Sequence, residues 1–85
     1  MNIQFSENAW EDYLFWQRTD KRIVKKISAT LADISRGEPH EGIGKPEPLK
    51  HTFSEFWSRR ITEEHRLVYK VESEVLKVVQ IRYHY

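Results

Sequence analysis

FWSRRITEEHRLVYKVESEVLKVVQIR, residues 56–82, decides the fold. It contains three runs rich in β-branched and aromatic residues, Phe56 to Ile61, Arg66 to Val71 and Val75 to Arg82, types that fit a pleated, half-buried surface. Between them stand only Thr62-Glu63-Glu64-His65 and Glu72-Ser73-Glu74. Connections this short join antiparallel neighbours, since a parallel crossover needs a dozen or more residues. The reading is an antiparallel meander.

Upstream, Glu38 to Pro48 carries Gly42, Gly44, Pro39, Pro46 and Pro48, a composition that breaks regular structure and holds extended backbone around Glu47, the residue between the last two prolines. Before that loop the period changes from two to 3.6. Asp20 is suited to cap a helix running to about Arg36, with an apolar stripe of Ile23, Val24, Ile27, Leu31 and Ile34 and Gly37 as its stop. A first helix spans Glu7 to about Thr19, with Trp10, Tyr13, Leu14 and Gln17 at helical spacing and Glu7, Glu11 and Asp12 near its N-terminus. Met1 to Phe5 alternates and reads as a short strand, after which Ser6 offers a capping hydroxyl. Strand, two helices, then strands predicts an α+β sandwich with the helices on one face of a mostly antiparallel sheet.

The 85 residues form one expected domain, 1–85, because so short a chain cannot divide its apolar side chains between two cores. Hydrophobic residues make up 39% and charged residues 32%, which suits a soluble globular domain better than a disordered chain. The absence of cysteine removes disulfides and thiolate metal sites, so a small fold must rely on dense packing or on a partner. No apolar run approaches the roughly 20 residues that span a bilayer, and a cytoplasmic location is the expectation. The formal net charge is only +1, so nucleic-acid binding would need an uneven distribution of charge.

Two basic sets provide such unevenness. Arg18, Lys21, Arg22, Lys25 and Lys26 fall on or just before the second helix, where a solvated face and a phosphate-binding face look alike. Lys50, Arg59, Arg60 and Arg66 lie on or beside neighbouring strands. In a strand Arg59 and Arg60 point to opposite faces, so only one can share a surface with Arg66, and parity alone does not choose. The chain ends in Arg82-Tyr83-His84-Tyr85, bulky side chains that predict a docked terminus. Metal-free RNA cleavage requires a base for the 2′-hydroxyl, an acid for the leaving 5′-oxygen and a cation for charge building on phosphorus oxygens. Glu47, His84 and Arg66 have those chemistries, although a loop carboxylate and one of four histidines are ordinarily just surface groups. The histidines show no compact ligand spacing, so no metal or other cofactor is expected.

Four segments, WEDYLFWQRTDKRIVKK (residues 10–26), GKPEPLKH (44–51), FWSRRITEEHRLVY (56–69) and the terminal RYHY (82–85), closely resemble the YoeB/Txe family of bacterial toxins in the RelE-like superfamily. The resemblance implies a RelE-like microbial ribonuclease fold and an endoribonuclease that cuts messenger RNA in the ribosomal A site. It also implies a YefM-like antitoxin, the 70S ribosome and a second copy of the chain as partners. By the same likeness Glu47 matches the general base, Arg66 the phosphate-stabilising arginine, His84 the general acid and Tyr85 the tyrosine that positions the scissile nucleotide. Lys50 and Arg60 match basic positions near substrate phosphates, and Arg59 remains the alternative to Arg60 as an RNA contact. The Arg36 to Gly42 loop is about one residue longer than the family pattern, and Val71 to Ile81 is less similar. The rival readings are a catalytically silent module that holds RNA or antitoxin on the same sheet, and a DNA-binding regulator, for which no helix-turn-helix pattern follows Lys26.

Overall fold

The computed structural model describes residues 1–49 and 55–83. Its elements are β1 (Asn2–Phe5), α1 (Glu7–Thr19), α2 (Lys21–Arg36), β2 (Glu47–Pro48), β3 (Trp57–Arg60), β4 (Arg66–Glu72) and β5 (Val75–Gln80). Both helices start where a side chain satisfies a free N–H: Ser6 Oγ accepts from Ala9 N at 3.0 Å, and Asp20 Oδ1 from Arg22 N at 3.0 Å. Gly37 closes α2 by donating its N–H to Asp33 O.

The described strands form one sheet in the order β1-β5-β4-β3-β2. The expected meander is β3-β4-β5, antiparallel throughout. Its β4–β5 turn is the two-residue Ser73-Glu74 loop with both φ positive, 52° and 65°, which matches the twist of the flanking strands. Two features go beyond the sequence reading. The N-terminal β1 runs parallel to β5 at one edge, because the two-helix hairpin returns the chain across the sheet. The Pro-flanked segment read as an extended loop is an edge strand, with Glu47 opposite Ser58 and Pro48 opposite Trp57. A proline, which lacks an N–H, is tolerated at an edge.

The helices cover the face of β4 and β5 that carries Leu67, Tyr69, Leu76 and Val78, and with Ala9, Trp16, Ile27, Leu31, Ile34, Ile61 and Ile81 these residues form the core. The expected α2 stripe is realised, with Ile23 and Val24 only partly buried. The expected first helix forms as well, and of the residues read at helical spacing Tyr13 packs partly against the core while Gln17 is exposed. Trp10 is 48% exposed and stacks with Tyr13 beside Phe5, while Ala9, Asp12 and Trp16 face inward.

The inward acid has a specific task. Asp12 Oδ2 accepts from Ile81 N at 3.0 Å, and one turn further on Trp16 Nε1 donates to Ile81 O at 3.0 Å. Both backbone groups of the residue that follows β5 are thereby satisfied by side chains of α1, as burial demands. Burial pushes the Asp12 carboxyl above its ordinary value, against the opposing effects of the Ile81 hydrogen bond, Arg82 and His65.

Candidate functional site

The strand register turns a linear set of residues into a cluster on the face of the sheet away from the helices. Arg60 lies opposite Arg66, Ser58 opposite Val68, and Glu47 opposite Ser58. Directly paired residues share a face, so Glu47, Ser58, Arg60 and Arg66 stand together although 19 positions separate the first from the last. The Arg66 guanidinium donates to Ser58 Oγ at 3.1 Å through Nη1 and sits 3.6 Å from Glu47 Oε1 through Nη2. Ser58 was missed at the level of sequence, yet its spacing of two from Arg60 would have placed it on the same face.

The Arg66 side chain is 19% exposed and that of Glu47 56%. The cation is thus held on rigid β4 with little freedom, while the carboxylate stays open to a substrate hydroxyl. At 3.6 Å the pair is in ionic contact without a close hydrogen bond, leaving lone pairs and N–H groups free for a substrate. Arg60 completes the face, and its Nε is buried with no hydrogen-bond partner among the described residues. A buried donor left unmatched is costly unless a ligand satisfies it.

Arg59 has to be withdrawn from the candidate RNA contacts. Its side chain points to the helix face and is 0% exposed. Nη1 pairs with Asp33 Oδ2 and donates to Ile43 O, Nη2 donates to the carbonyls of Pro39 and Glu41 at 3.1 and 2.8 Å, and Nε donates to Tyr69 Oη at 3.2 Å. A guanidinium with its donors so engaged has none to offer a phosphate. The Arg59 hydrogen bond holds the Asp33 carboxyl below its ordinary value, while burial raises the Tyr69 phenol, keeping it a neutral donor to Pro39 O.

Arg59 nonetheless serves the site indirectly. It organises residues 38–43, and the chain then passes through Gly44, at φ 78°, whose carbonyl accepts from Arg60 N at 2.6 Å. A Cβ on Gly44 would press against Arg60 O at 2.8 Å, so glycine is required both for the dihedral and for the close approach. Pro46 and Pro48 then fix φ on either side of Glu47. The loop with its clamp is therefore what delivers the carboxylate to Arg66.

From the C-terminal side the backbone of Tyr83 meets the His65 ring and the Arg66 backbone. Its carbonyl accepts from Arg66 N at 2.8 Å, and its N–H donates to His65 Nδ1 at 2.8 Å. Arg82 lies over the Phe15 ring at 3.6 Å, a cation–π contact with α1. The backbone of the terminus is docked as far as Tyr83, whose side chain, against expectation, stays 53% exposed. His84, Tyr85 and Lys50 lie outside the described residues. Among the described residues, no three His, Asp or Glu side chains come together in a way that could hold a metal ion.

The model of the YoeB-like toxin of bacterial type II toxin-antitoxin systems matches residues 5–85. Toxin YoeB of Escherichia coli (strain K12) is 61% identical over 85 residues, covering 100% of both chains. Among solved structures, a YoeB/ParE toxin from Agrobacterium tumefaciens superposes with a TM-score of 0.96 at 48% identity over 100% of both chains. The toxin in a heterotetrameric YoeB-YefM toxin-antitoxin complex from Staphylococcus aureus superposes with a TM-score of 0.93 at 49% identity, over 100% of this chain and 98% of that one. The RelE-like α+β arrangement expected from the resemblance is the fold shared with these structures.

Proposed function

The chain belongs to the YoeB-like toxins of bacterial type II toxin-antitoxin systems, and from that premise we propose that it is a ribosome-dependent endoribonuclease, cleaving messenger RNA in the ribosomal A site and so arresting translation. The observation that carries this reading is the Arg66–Glu47 pair on the open face of the sheet, 3.6 Å apart and bracketed by Ser58 and Arg60.

In the proposed reaction Glu47 takes the proton of the 2′-hydroxyl, and the oxygen attacks the adjacent phosphorus. Arg66 stabilises the negative charge that builds on the phosphorus oxygens, a preorganised cation needing no rearrangement at the moment of reaction. His84 donates a proton to the departing 5′-oxygen, leaving a 2′,3′-cyclic phosphate and a 5′-hydroxyl. Tyr85 positions the scissile nucleotide, and Lys50 and Arg60 hold flanking phosphates. For Arg60 the unmatched Nε supports the assignment. Acid and base come from the chain itself, so no metal enters the scheme. A YefM-like antitoxin, the 70S ribosome and a second copy of the chain are its proposed partners, in the cytoplasm.

The test is cleavage of a defined message by purified protein with and without programmed ribosomes, EDTA in the ribosome-free arm, and His84→Ala alongside. Cleavage confined to the ribosome arm and lost in the variant supports the reading. Folded protein that cuts in neither arm would overturn it in favour of a silent binding module.

A further inference from the structure

We propose that His65 is a positioning residue for the C-terminal tail: its imidazole Nδ1 latches the backbone of Tyr83, and this sets the origin of the two residues that follow. The activity arm of the test rests on the function proposed above, whereas the structural arm does not.

The latch is built from two consecutive residues of the chain. His65 Nδ1 accepts the Tyr83 N–H at 2.8 Å, and the next residue's N–H, that of Arg66, donates to Tyr83 O at 2.8 Å. Tyr83 sits at φ 65°, the left-handed region that a bulky residue occupies only when its surroundings hold it there. Both of its backbone groups are held, one by an imidazole and the other by the residue that presents the site's cation.

The imidazole is itself immobilised. Its ring packs edge-on against Trp16 with centroids 4.7 Å apart, and His65 is 9% exposed. Its own N–H donates to Thr62 Oγ1 and its carbonyl accepts from Ile61 N. A peptide N–H can only donate, so Nδ1 carries no proton in this bond and the ring proton resides on Nε2, which faces Glu64 Oε1 at 3.6 Å. A core histidine needs only packing, and an apolar ring would supply it. The unprotonated Nδ1 aimed at the tail backbone is what packing does not require.

Two substitutions separate these roles. His65→Phe keeps a ring against Trp16 and removes the acceptor. His65→Asn removes the ring but keeps a neutral acceptor at the position of Nδ1. The readouts are amide hydrogen exchange at Tyr83 and single-turnover cleavage on programmed ribosomes, with antitoxin-peptide binding as the check on folding.

The expected result is loss of Tyr83 amide protection by about tenfold in His65→Phe, as for one lost hydrogen bond, and a fall in kcat of about 10²-fold with KM little changed, as for a misplaced catalytic group. His65→Asn retains both the protection and most of kcat. Wild-type protection at Tyr83 in His65→Phe, or protection lost in His65→Asn and kept in His65→Phe, would overturn the latch. Should the wild-type protein cut no RNA, the proposed function falls while the exchange measurement still decides the role of His65.

Discussion

Removing the carboxylate of Asp33 is expected to destabilise the protein by about 3 kcal/mol, the lower end of the range for breaking a buried ion pair. The Arg59 side chain is 0% exposed and that of Asp33 29%, so Asp33→Ala strands a cation that cannot reach water without rearranging the loop. The figure stays at the low end because carbonyls of Pro39, Glu41 and Ile43 continue to bind the guanidinium and because the lost partner is partly solvated. For a domain of this size such a loss lowers Tm by roughly 4–8 °C per kcal/mol, or about 12–24 °C in all. The pH dependence has a definite sign. The folded-state pKa of Asp33 lies below its ordinary 3.8, so its contribution is complete above that value and is lost as pH falls through the folded-state pKa. Urea titrations of wild type and Asp33→Ala between pH 3 and pH 7 provide the assay. The gap between the two proteins should be widest near neutrality and shrink below about pH 4. A gap under about 1 kcal/mol at pH 7, the size of an exposed bridge, or one that grows on acidification, would refute the assignment of Arg59 as a buried clamp.

Glu47→Ala, Arg66→Ala and His84→Ala should each slow ribosome-dependent cleavage by about 10²- to 10⁴-fold and relieve growth arrest, with circular dichroism and antitoxin binding unchanged; loss of folding in all three would sink the assignment. A message carrying a 2′-O-methyl sugar at the cut site should bind the loaded ribosome yet resist cleavage, because the nucleophile is blocked; cutting at the normal rate would exclude 2′-hydroxyl attack. Trp16→Phe should cost about 1–3 kcal/mol, since it leaves the carbonyl of Ile81 without its buried donor, and chemical denaturation reads this directly. Glu74→Gly should raise stability by about 0.5–1 kcal/mol, because glycine occupies the positive φ of the Ser73-Glu74 turn without strain; a lower urea midpoint would contradict it.

Local periodicity, chain punctuation and one motif set were legible in the sequence alone. Alternation and short connections are properties of neighbouring residues, so the β3-β4-β5 meander could be read from residues 56–82, the caps from Ser6 and Asp20, and the extended backbone at Glu47 from its two prolines. The family resemblance named Glu47, Arg66 and His84 because motifs are linear. Other features depended on which strand lies beside which. Arg59 and Arg60 are indistinguishable by parity until register places Arg60 opposite Arg66 and Arg59 under the loop. The inward place of Asp12 on α1 was not legible, since burying a carboxylate makes sense only once Ile81 N is there to be bound. That Glu47 joins the sheet edge, that β1 runs parallel to β5, and that His65 binds the backbone of Tyr83 are equally long-range facts. Each is a hydrogen bond or pairing between residues far apart in the chain, and such partners are chosen by the packed fold as a whole.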